Sequence, residues 1–341
     1  MNRRSDSRVE SAKPPLRRTY KPVPHEGEDG LFRQTWYAVC KSSDVPAGAV
    51  IGRSFLDGRV AVYRGADGRA QVVNAYCPHL GADLSQGTVV GSSLRCAFHH
   101  WEFGRDGRCL RTGIGDPPPP TARLFNFPTE ETFGIIWAFN GFEPLFDLAS
   151  PSRPFERLTS LVADPFQVAA DPWVICCNTP DWVHFATVHR FEFPREGQNE
   201  SLRFEPFGVR RQFSARLEHG AGPEITFSVT VRGTTLVLIE GLTEGKWFAV
   251  AACLGVPRPG CCDFFVVTMV DRGEASSDAE AEALVRSYAD VVARMGAEDT
   301  PIWNGMHFKP GALTRSDRAL ARYLRDLRRF PRAHPSADFI N

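Results

Sequence analysis

Cys77-Pro78-His79-Leu80-Gly81-Ala82-Asp83-Leu84-Ser85-Gln86-Gly87, followed by Leu94-Arg95-Cys96-Ala97-Phe98-His99-His100-Trp101-Glu102-Phe103, is the stretch around which the chain organises itself. It reduces to C-x-H, sixteen intervening residues, then C-x-x-H. Residues 59–64 and 71–76 are apolar runs flanking a turn that holds Asp67-Gly68, a hairpin signal that delivers the chain to Cys77. Residues 94–103 form a second arm, closed by Asp106-Gly107 at another tight turn. Both Cys/His pairs are therefore expected at loop tips behind strands. Two thiolates and two imidazoles suit zinc or a [2Fe–2S] cluster. A zinc finger normally pairs Cys with Cys and His with His along the chain. Here each loop offers one of each, which suits a cluster with both cysteines on one iron and both histidines on the other.

With Gly104 and Gly107, these residues closely resemble the Rieske domain of the ring-hydroxylating oxygenase family. The resemblance implies Cys77, His79, Cys96 and His99 as cluster ligands. Leu80 stands where the family usually has Arg, and His100 where it usually has Gly. His100 is a rival ligand, but the C-x-x-H spacing favours His99. The two departures are expected to bear on cluster potential or on a docking surface, and they remove no ligand.

The composition bounds the rest. The 341 residues are long enough for two domains, and 43% hydrophobic with 23% charged residues is the balance of a globular protein. Lys+Arg and Asp+Glu number 40 each, so no basic field points to nucleic acid. Residues 1–30 are rich in Arg, Lys, Ser, Pro and Glu and are expected to be a disordered tail. The Arg3-Arg4 pair has no hydrophobic stretch behind it, so no secretion signal is read there. No run approaches the roughly 18 apolar residues of a membrane helix, residues 247–256 being far too short, so a cytoplasmic protein is expected. Nine cysteines without a leader do not suggest a disulfide framework, and the pairs Cys176-Cys177 and Cys261-Cys262 read as small buried residues.

Residues 116–120 (Asp-Pro-Pro-Pro-Pro) form a stiff extended connection. Strands over 124–127 and 134–139 close the first domain, and the Gly/Pro-rich stretch 140–154 marks its boundary. The expected division is a tail (1–30), the cluster domain (31–150) and a second domain (151–341). The second begins with a strand-like approach at Trp173-Val174-Ile175. Strand patterns follow at 201–205, 209–216, 225–232, 234–240, 247–254 and 263–270, then a helix over about 278–297.

Asn178-Thr179-Pro180-Asp181-Trp182-Val183-His184-Phe185-Ala186-Thr187-Val188-His189 carries an acid and two imidazoles. Thr179 followed by Pro180 is a helix-start signal. Asp181 and His184 share a helical face, whereas His184 and His189 lie roughly 140° apart on an ideal helix. Only a π-bulge or a broken turn would aim both at one point. Taken alone, the segment reads equally well as a helix with one core and one surface histidine. In the later helix, Leu284, Val285, Tyr288, Val291, Val292 and Met295 form an apolar stripe whose next turn reaches both Glu298 and Asp299. A carboxylate ending a buried stripe needs a partner, and a metal held by two histidines would supply one. Periodicity does not choose between the two acids.

The resemblance does choose. Asp299-Thr300-Pro301-Ile302-Trp303 looks like the D-x-x-I-W that carries the iron carboxylate in Rieske oxygenases acting on steroids and sterols, leaving Glu298 as the alternative. Asp181-x-x-His184-x4-His189 matches the family's D-x-x-H-x4-H. Residues 310–330, with Ser316-Asp317 and Tyr323-Leu324-Arg325, loosely match its C-terminus. The resemblance spans roughly residues 31–330. It implies an α+β chain: an all-β Rieske domain, then a helix-grip antiparallel sheet folded around a helix. It also implies mononuclear Fe(II) on His184, His189 and Asp299, O2 as co-substrate, and a head-to-tail homotrimer. In that trimer Asp181 bridges His184 and His99 of the partner subunit as an electron-transfer link. Without a Rossmann or flavin fingerprint, electrons are expected from NAD(P)H through a separate ferredoxin or flavin reductase. The expected activity is hydroxylation or desaturation of a bulky hydrophobic substrate, steroid-like or a polycyclic natural product. Hydroxylation or demethylation of a smaller aromatic is the alternative. A pure Rieske electron carrier and a non-catalytic helix-grip binding module are the readings of other classes.

Overall fold

In the computed structural model, residues 22–193, 201–217, 222–309, 311 and 313–341 are described. Strands dominate both halves of the chain. In the first, Trp36–Lys41 and Thr129–Thr132 flank Ile135–Phe139, while Asn126–Phe127, Ala70–Asn74, Gly58–Arg64 and Val50–Phe55 form a four-stranded sheet. A smaller sheet runs Thr88–Val90, Ser93–Arg95, Glu102–Phe103, Cys109–Arg111. The expected hairpin is present, with Val62 opposite Val72. Asp67-Gly68 turns the chain, and Gly68 takes the positive φ such a turn needs (79°).

The second half is an antiparallel meander. Leu202–Glu205, Gly208–Arg216, Glu224–Arg232, Leu236–Thr243, Lys246–Arg258 and Cys261–Asp271 pair in chain order, and Leu158–Val162 and Phe166–Val168 both pair with the last. Strand Lys246–Arg258 shows why its sequence is an unbroken apolar run rather than an alternating one. Ala249, Ala251 and Cys253 pack against Trp36, Ile135 and Trp137 of the first half. Phe248 and Leu254, on the other face, belong to the core beneath the long helix. A strand covered on both sides has no polar face to show. No helix among the described residues is long and apolar enough to cross a membrane.

Helix α1 (Pro172–Cys176) and helix α2 (Trp182–Thr187) precede the meander, and helix α3 (Asp278–Gly305) follows it. Several expectations need correction here. Trp173-Val174-Ile175 is helical, because Asp171-Pro172 in front of it is a helix start whose force outweighs the β-preference of Val and Ile. The next helix starts two residues later than Thr179-Pro180 suggests. Asp181 is its N-cap and accepts from the His184 backbone N–H at 3.2 Å. Helix α3 runs eight residues past 297 with Pro301 inside it. Its last turn is held down by Trp303, buried and stacked near Phe264 with ring centroids 5.9 Å apart.

The chain ends are less separate than the linear pattern suggests. Residues 22–30, expected in a disordered tail, are anchored: Val23 is 3% and Glu26 1% exposed. Glu26 accepts from Arg33 Nη1 at 2.8 Å, and His25 Nδ1 lies 2.7 Å from Asp171. The remainder of that tail, residues 1–21, lies outside the described residues. At the other end Arg332–Ala333 pairs with Phe32–Arg33, and Ile340 enters the core of the first half. None of the nine cysteines is paired in a disulfide, and both adjacent pairs are buried.

Candidate metal centres

The first centre stands on the two loops. Cys77 N–H donates to Ala82 O (2.9 Å) and Gly81 N–H to Cys77 O (2.8 Å). The second loop repeats the device, with Cys96 N–H donating to Trp101 O (2.9 Å) and His100 N–H to Cys96 O (3.1 Å). Both sulfurs sit inward and buried. The imidazoles face outward, His79 and His99 having ring centroids 4.6 Å apart, and His79 stacks flat on Trp101 at 4.4 Å. Burial, with the Cys96 sulfur beside it, pushes the Cys77 thiol up to about 12, so a bound cation is needed to draw out the thiolate. Two buried sulfurs below two outward imidazoles are the donor set that a [2Fe–2S] cluster with mixed ligation takes. His100 sits in the left-handed region (φ 56°). Gly113 passes so close that a Cβ on it would lie 2.2 Å from His99 O. Leu80 (67% exposed) follows His79 in the chain, and Phe98 (62%) and Ile114 (88%) line a cleft beside both histidines.

The second centre joins elements distant in sequence. Helix α2 ends at Thr187, and Arg190 takes a left-handed conformation (φ 58°). His189 therefore lies past the helix end and turns back toward His184: the broken turn rather than the π-bulge. Their Nε2 atoms are 3.1 Å apart, with Asp299 Oδ1 3.4 Å from His184 Nε2 and Oδ2 3.3 Å from His189 Nε2. One ligand atom from each residue lies within 4.8 Å of the others. Asp299 Oδ1 is buried without a hydrogen-bond partner.

Glu298 occupies the other side of His189, its Oε2 2.9 Å from Nδ1, and its Oε1 accepts from Arg190 Nη1 at 3.1 Å. A carboxylate accepts there, so Nδ1 carries the proton and Nε2 presents its lone pair to the centre. Glu298 thus faces the Nδ1 edge of the ring, away from the triad, while Asp299 faces the Nε2 edge. The hydrogen bond from His189 holds its carboxyl below the usual range. Burial lowers the His184 pKa, favouring the neutral ring. Burial acts the same way on His189, but Asp299 and Glu298 outweigh it and the net shift is upward. Converging lone pairs around an orphaned carboxylate oxygen fit a divalent metal held on one face.

Two neighbours were not given a role by the linear pattern. Asn178 Nδ2 lies 3.1 Å from His184 Nε2. Arg211, 2% exposed, donates from Nη1 to Thr179 O at 3.4 Å and lies over the Phe213 ring, and burial brings its pKa down to about 10. A lone arginine in a strand carries no signal of either contact. Asp181, by contrast, is placed by its cap: its hydrogen bond goes to the His184 backbone, and none to the His184 ring is present among the described residues. Behind the triad opens a cavity of about 920 Å³ between the meander and α3, walled by Phe185, Phe213, Phe248, Val250, Val292 and Met295 among others.

A family model for the Rieske [2Fe-2S] domain matches residues 35–125. The chain contains a Rieske domain. The chain also has homologues among Rieske oxygenase alpha subunits. It is 35% identical over 158 residues to cholesterol 7-desaturase nvd of Bombyx mori, covering 45% of this chain and 35% of that protein. It is 23% identical over 305 residues to the oxygenase component of 3-ketosteroid-9-alpha-monooxygenase of Mycolicibacterium smegmatis (strain ATCC 700084 / mc(2)155), covering 80% and 75%. The structure of dicamba monooxygenase bound to dicamba superimposes with a TM-score of 0.67 at 20% identity, covering 87% of this chain and 97% of the other. The chain spans about a third of the length of the Bombyx mori relative. A Rieske domain followed by an antiparallel sheet with helices is the fold shared with these structures.

Proposed function

We propose that this chain is the terminal oxygenase of a Rieske non-haem iron system acting on a bulky hydrophobic molecule. One observation carries the reading: His184, His189 and Asp299 converge at a large apolar cavity in a chain that also carries the cluster loops. A pure electron carrier needs neither the triad nor the cavity. A cavity of about 920 Å³ favours a polycyclic or steroid-like substrate over a single-ring aromatic.

When bound, the cluster would supply single electrons and the iron a site for O2. Overall, a C–H bond, O2, two electrons and two protons would give an alcohol and water. For desaturation, two adjacent C–H bonds with the same inputs would give an alkene and two waters. The electrons come from NAD(P)H through a separate reductase, in the cytoplasm. His184, His189 and Asp299 would hold the iron at the edge of the cavity. Glu298 fixes the His189 ring, and the aromatic walls exclude water. The assembly is a head-to-tail homotrimer in which Asp181 links His184 to His99 of the partner subunit. The exposed apolar side chains of Leu80, next to His79 in the chain, and of Phe98 and Ile114, in the cleft beside the cluster histidines, support such docking.

The test is metal and sulfide analysis together with substrate-dependent O2 uptake. About three Fe and two acid-labile sulfides per chain are expected. Two Fe with two sulfides, and no O2 uptake across a panel of sterols and polycyclic compounds, would leave only the carrier.

A further inference from the structure

The cavity end away from the triad carries hydroxyls that make no hydrogen bond among the described residues. Two measures locate it. Along α3, Tyr288 precedes Asp299 by eleven residues, about 16–17 Å of helical rise. On strand Cys261–Asp271, Phe264 lies against Trp303 near the triad, and Thr268 is four residues further, about 13 Å away. The adjacent strand joins the two measures. Val250 pairs with Thr268, and Phe248, two residues before it, stacks on Tyr288 at 4.7 Å. Thr243 closes the same end from the hairpin where it pairs with Lys246. Gly241, on the same strand, leaves room for the Phe248 ring: a Cβ there would lie 2.1 Å from it.

All three hydroxyl-bearing residues line the cavity. Thr243 Oγ1 is buried without a partner. The Thr268 and Tyr288 hydroxyls make no hydrogen bond among the described residues. Burial first, then the Glu244 charge, raise the Tyr288 pKa, so its phenol stays a donor at neutral pH. A buried hydroxyl without a partner, as at Thr243, is unfavourable, and two further hydroxyls open to the cavity join it at one end of an otherwise apolar chamber. Among the described residues no lysine or arginine lines the cavity, and Glu244 lies at this end. A carboxylate or sulfate would find no counter-charge and one like charge.

Resting on the oxygenase reading for which end holds iron, we infer that Thr243, Thr268 and Tyr288 form a hydroxyl-recognition subsite. Its ligand is an elongated, uncharged, largely apolar alcohol that places its hydroxyl here and its carbon skeleton toward the triad. Thr243 and Thr268 can each donate and accept, Tyr288 donates, and an alcohol is the neutral group that answers both roles. The distance between subsite and triad suits a rigid fused-ring skeleton, whose length keeps the hydroxyl and the reacting carbon apart.

The test is equilibrium dialysis of the metal-loaded protein with three labelled probes: cholesterol, cholestane and cholesteryl sulfate. Cholesterol should bind roughly fivefold tighter than cholestane, and the sulfate at least roughly tenfold weaker than cholesterol. Thr243→Val and Tyr288→Phe each remove one oxygen at nearly constant shape. Each should weaken cholesterol by about threefold to tenfold and leave cholestane unchanged. Equal affinity for cholesterol and cholestane, sulfate binding as tight as the alcohol, variants that weaken both neutral probes alike, or binding of none of the three would overturn the subsite. The oxygenase reading is decided separately on the same preparation by its iron content. Hydroxyl discrimination without triad iron would keep the subsite and remove the oxygenase; full iron without discrimination would do the reverse.

Discussion

The two metal-ligand sets are built at different ranges of the chain. Cys77, His79, Cys96 and His99 lie within twenty-three residues, each loop closed by its own short hydrogen bonds. In the second centre His184 and His189 come from one broken helix, and Asp299 arrives from 110 residues further on. The first set is local geometry repeated twice. The second exists only once six meander strands have carried the chain back so that α3 brings Asp299 to the two histidines. A motif match is therefore strong evidence for the first centre, whereas the second stands on tertiary packing.

Breaking the long-range set should have the largest effect. His184→Ala should reduce substrate oxidation by at least about a thousandfold while the cluster EPR signal is unchanged, because the loops do not depend on α2. Turnover surviving with mononuclear iron still bound would refute the ligand assignment. Asp181→Asn comes next: iron should stay bound while electron delivery slows by about a hundredfold. Rapid-reduction kinetics check this, and normal turnover would end its bridging role.

Glu298→Gln separates orienting from ligating. An amide can still meet Arg190 poorly or His189 in the wrong tautomer, so iron affinity should fall by about tenfold with cluster content intact. Complete loss of iron on titration would instead make Glu298 a ligand. The smallest effect belongs to the local set. His100→Gly should relieve a left-handed histidine and stabilise the cluster loop by about 0.5–1 kcal/mol. The loss of cluster absorbance on heating should then shift upward by about 1–3 °C; an unchanged or lower midpoint would mean the imidazole makes a contribution of its own.

Much of the fold is legible because its signals are short-range. The hairpin around Asp67-Gly68 and the meander strands follow from apolar runs, alternating or unbroken, punctuated by turn residues, and the stripe from Leu284 to Met295 follows from helical period. Where the structure departs from the linear pattern, the causes are particular. Trp173-Val174-Ile175 has strand-like side chains, yet a five-residue helix opened by Asp171-Pro172 wins. Asp181, not Thr179, caps α2, because the turn over 177–180 consumes the earlier signal. Residues 22–30 look like tail by composition, but a buried Glu26–Arg33 pair holds them.

By itself the sequence determined the candidate ligands of both centres, the loop origin of the first four, and the antiparallel character of the second half. Those properties rest on contacts within a few residues, where side-chain type and spacing suffice. The tertiary structure decided which acid faces the two histidines. Asp299 and Glu298 are neighbours in the chain, but one helical step puts the first on the Nε2 side and the second on Nδ1. It also decided the shape of the chamber behind them and the placing of Thr243, Thr268 and Tyr288 at its far end. These depend on strand register and on how α3 lies over the sheet, relations between distant segments that no local pattern encodes.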